Sequence, residues 1–272
     1  MSRTLAFTKM HGAGNDFVML DGRALDAPLS RAAIAAVCDR RTGVGADGLI
    51  IVARPASPGA SFRMVYFNSD GGEAEMCGNG ARCTVAFAHA HGLMPGAEAR
   101  FDTFSGVLPA RVHGAADIEV GLPAWRDLEL DFAVDGSPWS EHHRCNTGVP
   151  HLVIPVADID AVDLRTWGPA LRRHARFAPA GTNVNWIAPA PGGDGWLLRT
   201  YERGVEDETL ACGTGASAAA VILCSLGRAA SPVTIHTRGG DRLVIAVDRE
   251  AGLLRLRGPA VVSFKGEVTI DE

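Results

Sequence analysis

One cysteine motif occurs twice, as Cys77-Gly-Asn-Gly-Ala-Arg and as Cys212-Gly-Thr-Gly-Ala-Ser. The copies lie 212 − 77 = 135 residues apart in a chain of 272. Glutamate precedes each, in the runs Glu73-Ala-Glu-Met and Glu208-Thr-Leu-Ala, and each is followed by an alanine-rich apolar stretch that reads as a helix. The same offset carries Tyr66 onto Tyr201, Glu73 onto Glu208, Arg41 onto Arg176 and Phe17-Val18 onto Leu152-Val153. Several matches in one order at one offset point to a duplicated fold, and the period is far too long for a solenoid. Such a fold, with a cysteine at a helix start in each half, can hold two thiols facing each other across a cleft. That is the layout of a two-base racemase or epimerase.

The rest of the pattern agrees with two similar domains. In the first half, apolar runs predict strands at residues 4–10, 16–21, 48–53, 62–67, 99–103, 107–112 and 118–120. Helices are expected at 30–41, with Ser30 as N-cap, and at 78–91, with Gly92 as the stop. In the second half strands are expected at 151–156, 183–188, 196–201, 233–237, 243–247 and 253–257, with helices at 164–175 and 213–226. Leu-Pro-Ala-Trp breaks the strand pattern near 121–127. The expected domains are therefore 1–122, to which 264–272 can return, and 123–263.

Composition excludes several function classes. A net charge of −5 and a pI near 6.0 give no reason to expect a nucleic-acid partner or an anionic membrane. The longest apolar stretch, 216–226, is too short to span a bilayer. Charged residues interrupt the first dozen positions before an apolar run can form, so a secretory signal is not expected and a cytoplasmic location is the default. Six cysteines without any Cys-x-x-Cys are expected to be thiols, with neither a disulfide scaffold nor a zinc site. His89, His91, His142 and His143 show no acidic or cysteine ligands at metal spacing, so no metal is expected.

The neighbours of the two motif cysteines explain what they could do. A thiol titrates at about 8.5, and the unsatisfied N–H groups and positive dipole end of a helix N-terminus favour its thiolate. Glycine directly after each cysteine lets the backbone turn into the helix and lets an anion approach the N–H groups. A carboxylate held there would also be stabilised as charge builds on it when an α-proton leaves. Cys38, Cys83, Cys145 and Cys224 lie in apolar contexts and read as small core residues.

The segments around these motifs resemble those of the diaminopimelate epimerase family. They are Met10-His-Gly-Ala-Gly-Asn-Asp-Phe-Val18, Gly43-Val-Gly-Ala-Asp-Gly48, Phe67-Asn-Ser-Asp-Gly-Gly-Glu-Ala-Glu-Met-Cys-Gly-Asn-Gly-Ala-Arg82, Asn146-Thr-Gly-Val-Pro-His151, Gly181-Thr-Asn183, Tyr201-Glu-Arg-Gly204 and Ala211-Cys-Gly-Thr-Gly215. The resemblance implies interconversion of LL- and meso-2,6-diaminopimelate, a small-molecule substrate of lysine and peptidoglycan-precursor biosynthesis, without pyridoxal phosphate or another cofactor. It assigns Cys77 and Cys212 as the two catalytic bases. It assigns Asn15, Asn68 and Asn183 to hydrogen bonds with substrate, although Asn68 also reads as a turn residue. Gly78, Asn79, Gly213 and Thr214 would hold the reacting carboxylate through backbone N–H groups. Glu202 and Arg203 would read the far end of the substrate, an ammonium and a carboxylate. His151 and Glu202 stand where the family tunes its thiols. Some members carry an asparagine before the Pro-His pair and a glutamine at the end of the Gly-Val-Gly segment. Here Val149 and Gly48 leave only backbone for such contacts.

The fold the resemblance implies is α+β, with two pseudo-symmetric domains. Each is a curved, mostly antiparallel sheet around a central helix, with the active site in the interdomain cleft. A homodimer is one assembly this reading allows. A racemase of another amino acid on the same fold is the alternative within isomerases, and Arg203 with the three asparagines argues against it. A cysteine-based redox protein would need a disulfide cycle between the two thiols. A simple binding module would not need both.

Overall fold

The duplication organises the molecule. The computed structural model describes residues 2–74 and 76–271, so Glu75, in the run before Cys77, lies outside the described residues along with the two terminal ones. Contacts divide the chain into two units, Met1–Val120 with Gly258–Glu272, and Gly121–Arg257.

The first unit contains β1 (Ser2–Gly12), β2 (Asn15–Asp21), α1 (Arg31–Cys38), β3 (Gly48–Ala53), β4 (Phe62–Asn68), α2 (Gly78–Ala90), β5 (Glu98–Thr103) and β6 (Gly106–Gly114), and leads out through β7 (Asp117–Leu122). The second contains β8 (Arg126–Phe132), β9 (His142–Asn146), β10 (Pro150–Pro155), α3 (Leu164–Arg172), β11 (Asn183–Pro189), β12 (Trp196–Glu202), β13 (Asp207–Thr209), α4 (Gly213–Ser225), β14 (Val233–His236) and β15 (Arg242–Asp248). It leads out through β16 (Leu253–Pro259), and β17 (Val261–Asp271) returns to the first unit. Helices α2 and α4 start and end 135 residues apart (213 − 78 and 225 − 90).

Strand pairing repeats as well. From β1 to β7 successive partners run antiparallel, parallel, antiparallel, parallel, antiparallel and antiparallel. The series β9, β10, β11, β12, β14, β15, β16 repeats that order. Each unit is thus α+β, with a mostly antiparallel sheet and one central helix that meets most of its strands: α2 meets β1, β2, β3, β4 and β6, and α4 meets β9, β10, β11, β14 and β15. Helix α4 is buried on every side from Gly213 to Leu223, the property of a helix with no polar face. The outer helices are amphipathic. Ile34 and Val37 of α1 join Leu5, Val18 and Leu49, while Leu164 and Leu171 of α3 join Trp186 and Tyr201. Among the described residues no helix is long and apolar enough to cross a membrane.

Four strands go beyond the sequence expectation. In β8 the left-handed residues Asp127 and Asp131 (φ 55° and 54°) break the alternation that marks a strand. In β9 the polar pair His142 and His143 is fully buried. Strand β13 is only a short hairpin arm on β12. Strand β17 pairs with β1 from Ser2↔Asp271 to His11↔Val261. Helix α1 ends at Cys38, short of the expected 41, because the Asp39 carboxylate accepts from the backbone N–H groups of Arg41 (2.9 Å) and Thr42 (2.7 Å) and turns the chain.

Candidate active site

Cys77 is the N-cap of α2. Its backbone is extended (φ −120°, ψ 117°) and its Sγ accepts from the Gly80 N–H at 3.5 Å. Gly78 and Asn79 follow in the first turn, where helix N–H groups lack intrahelical partners. Arg82, fully buried one turn on, donates to Gly78 O (3.3 Å), Asn79 Oδ1 (2.8 Å) and Pro259 O (3.1 Å), so a cation braces the helix start.

Asn15, which opens β2, places Oδ1 3.5 Å from Cys77 Sγ and donates from Nδ2 to Asp47 Oδ2 at 2.6 Å. A carboxylate only accepts, so Asp47 fixes which end of the Asn15 amide faces the sulfur. Arg40 holds Asp47 and Asp16, both at 2.7 Å, and buried Lys9 pairs with Asp16 at 2.7 Å. Burial alone would raise the Asp16 carboxyl, but the hydrogen bonds from Arg40 and Lys9 outweigh it and hold the group well below the usual carboxylate range. Asn68 ends β4 at the register of Gly48, which pairs with Phe17. Asn68 therefore lies at the same end of the sheet as Asn15, exposed, with its backbone closing a turn to Gly71 and Gly72.

Gly48 is constrained by its neighbours. A Cβ there would come within 2.6 Å of Tyr66 Cε2 and closer still to the Phe67 carbonyl. The Tyr66 ring thus fills the space that a side chain at this position would need.

In the second unit Cys212 caps α4 with a matching backbone (φ −120°, ψ 106°), and its Sγ lies 3.5 Å from Thr214 Oγ1. The Thr147 hydroxyl donates to Thr214 O at 2.8 Å and docks the β9–β10 turn on the helix start, beside Gly213. Asn183 opens β11 in register with His151 on β10. Its Nδ2 donates to Pro150 O (3.1 Å) and its Oδ1 accepts from the Arg203 N–H (2.8 Å). Glu202 ends β12 and accepts from the Thr209 hydroxyl at 2.9 Å. His151, Asn183, Glu202 and Arg203 therefore gather at one end of β10, β11 and β12. Burial, assisted by the Arg203 guanidinium, pushes the His151 pKa down to about 3, so the ring is neutral.

Asn185, Asp47 and Arg82 complete these surroundings although sequence reasoning gave them no role. Asn185 is fully buried two residues from Asn183 on one strand, and therefore on the same face. A polar residue inside an apolar strand was the available signal.

The remaining cysteines have a different environment. Burial raises the thiols of Cys38 to about 11 and of Cys83 and Cys145 to about 12, and it raises Cys224 as well, which holds them protonated. One expectation needs correction: His143 does have acidic neighbours, since ligand atoms of Asp131, Glu141 and His143 lie within 4.8 Å of one another. The Asp131 N–H donates to His143 Nδ1 (3.1 Å), and Nε2 is left to donate to Glu141 Oε1 (2.7 Å), which also pairs with Arg228 (2.7 Å). The ring nitrogens are occupied by hydrogen bonds within the cluster.

Comparison with known proteins bears on this arrangement. The family model for diaminopimelate epimerase matches residues 7–123 and 144–262. The diaminopimelate epimerase of Aquifex aeolicus is 41% identical over 276 residues, covering 97% of this chain and 98% of its own. That of Gemmatimonas aurantiaca is 40% identical over 280 residues, covering 97% and 99%. Among solved structures, a phenazine biosynthesis protein of the PhzF family from Bacillus anthracis superposes with a TM-score of 0.75 at 16% identity, covering 98% of this chain and 99% of its own. A hydroxyproline epimerase from Agrobacterium vitis gives 0.75 at 14%, covering 99% and 92%. These two share the fold. With a matching family model across both units and relatives at 40% identity over nearly its whole length, the chain belongs to the diaminopimelate epimerase family.

Proposed function

We propose that this chain interconverts LL- and meso-2,6-diaminopimelate by a two-base reaction that needs no pyridoxal phosphate, in the supply of lysine and peptidoglycan precursors. The observation that carries the reading is the repeated cysteine: in a member of this family, Cys77 and Cys212 each cap the buried central helix of a unit. One sulfur, as thiolate, takes the α-proton. The electron pair left on carbon delocalises into the carboxylate, and the other sulfur, as thiol, delivers a proton to the opposite face. The thiol and thiolate have then exchanged roles, which suits a reversible epimerisation.

The first-turn N–H groups of Gly78, Asn79, Gly213 and Thr214 are assigned to the reacting carboxylate, where helix ends favour an anion. Arg203 and Glu202 are assigned to the far carboxylate and ammonium, with Asn15, Asn68 and Asn183 completing the polar contacts. A cytoplasmic location fits because a reducing compartment keeps both sulfurs reduced. A homodimer fits because β17 exposes Val262 (48%) and Phe264 (50%) on one face.

Proton NMR of LL-diaminopimelate incubated in D2O with reduced protein, without added cofactor, tests the reading. Deuterium at the α-position together with the meso isomer is expected. Binding without exchange would transfer the chemistry to another amino acid, and neither binding nor exchange would contradict it.

A further inference from the structure

The environment of His151 fixes more than its charge. Asn185 donates from Nδ2 to Leu152 O at 2.9 Å and faces His151 Nδ1 with the same nitrogen at 3.2 Å, while its Oδ1 accepts from the Thr200 hydroxyl at 2.9 Å. The Leu152 carbonyl can only accept, and a turned amide would set two oxygens against each other, so the NH2 group must lie on this side. Nδ1 then receives a hydrogen and must offer its lone pair. A neutral ring so bonded carries its proton on Nε2.

The surroundings leave this arrangement little freedom. His151 and Leu152 are at most 1% exposed, Thr200 2%, and Asn185 not at all. A Cβ on Gly215, in the first turn of α4, would run into Asn185 Oδ1 and lie 3.3 Å from Cys212 Sγ, so the amide is wedged beneath the turn that carries the thiol. His151 Nε2 is itself buried and has no hydrogen-bond partner among the described residues. Such a donor costs stability unless something it meets in function accepts from it.

We propose that Asn185 is a positioning residue that holds His151 as the neutral Nε2–H tautomer, making it a fixed hydrogen-bond donor at the end of β10 where Asn183, Glu202 and Arg203 gather, and not a proton acceptor. The nearby Arg203 guanidinium, whose charge reaches the ring, suits the same kind of acceptor, an anionic group. The identity of that group as a diaminopimelate carboxylate rests on the proposed function; the tautomer does not.

Long-range 1H–15N correlation on protein labelled with 15N-histidine reads each ring without reference to any reaction. One ring, identified by its loss in His151→Gln, is expected to show the Nε2–H pattern throughout the range in which free histidine titrates. Asn185→Asp replaces the N–H donor with an oxygen that only accepts, and is expected to move the proton to Nδ1. With it kcat should fall about tenfold or more while KM stays within about threefold, as for an interaction used mainly in the transition state. Asn185→Ala is expected to give a mixture of tautomers. A wild-type ring protonated on Nδ1, or one that titrates in this range, would overturn the proposal, and the wild-type spectrum decides even where a variant fails to fold. Both variants keeping the Nε2–H pattern would overturn Asn185 as the cause. A displaced proton with unchanged kcat would overturn the donor role. The wild-type pattern in a protein that turns over no diaminopimelate would support the tautomer and contradict only the substrate.

Discussion

At the residue scale the two capping thiols differ in what touches them. Cys77 meets Asn15 Oδ1, a carbonyl oxygen that only accepts and is held in place by Asp47. Cys212 meets the Thr214 hydroxyl, which rotates and can serve either ionisation state of its sulfur. Gly215 keeps the second arrangement tight, because any side chain there presses on Asn185 and crowds Cys212 Sγ. Gly215→Ala is therefore expected to lower kcat by about 10- to 100-fold, the effect of displacing reacting groups by roughly an ångström, with the helix intact by circular dichroism. Unchanged kcat would show that the turn has room to spare. The helix-start cysteines were legible in the sequence because glycine follows each and the motif repeats. Asn185, Asp47 and Arg82 were not, because each acts on another residue, and such contacts exist only once strands and helices have been brought together.

At the scale of elements, the central helices are core pieces whose first turns are exceptions. Helix α2 carries a buried arginine that donates to Gly78 O and Asn79 Oδ1 at the helix start and to the Pro259 carbonyl. Arg82→Met keeps most of the length and removes the donors. It is expected to cost about 2–4 kcal/mol, since hydrogen bonds to a charged group are lost and buried acceptors left unpaired, measurable as a lower urea midpoint. A change below about 0.5 kcal/mol would mean that water replaces the guanidinium without penalty. Helices α2 and α4 were readable from the alanine-rich runs after each motif. Strands β8 and β9 were hidden for physical reasons: β8 is interrupted by two left-handed aspartates, and β9 buries two histidines that are satisfied by hydrogen bonds to Ser137 and Glu141 instead of by apolarity.

At the scale of the whole molecule, a buried histidine ties stability to pH. His151 titrates near 3 in the fold against 6.5 for the free side chain. Between those values the unfolded chain binds a proton that the folded chain refuses, so His151 makes stability fall as pH drops from 6.5 toward 3. His151→Gln is expected to flatten the melting temperature across this window and to leave its slope above pH 6.5 unchanged; parallel curves would place a charged His151 in the fold. Duplication was the most legible property of all, because one offset relates helices, strands and pairing order alike. The return of β17 to β1 was less so, since pairing partners 250 or more residues apart leave no local signature.

The proposed function requires two sulfurs to work on opposite faces of one carbon. Its most direct test is the fate of deuterium when LL-diaminopimelate reacts in D2O and is quenched early. A thiol that has taken the substrate proton returns that same proton, whereas the other thiol has exchanged with solvent. Deuterium is expected at the inverted centre of the meso product, with almost none in the remaining LL substrate and no epimerisation by Cys77→Ala or Cys212→Ala, while Cys145→Ala retains it. Equal labelling of product and remaining substrate, or turnover by either active-site variant, would contradict it.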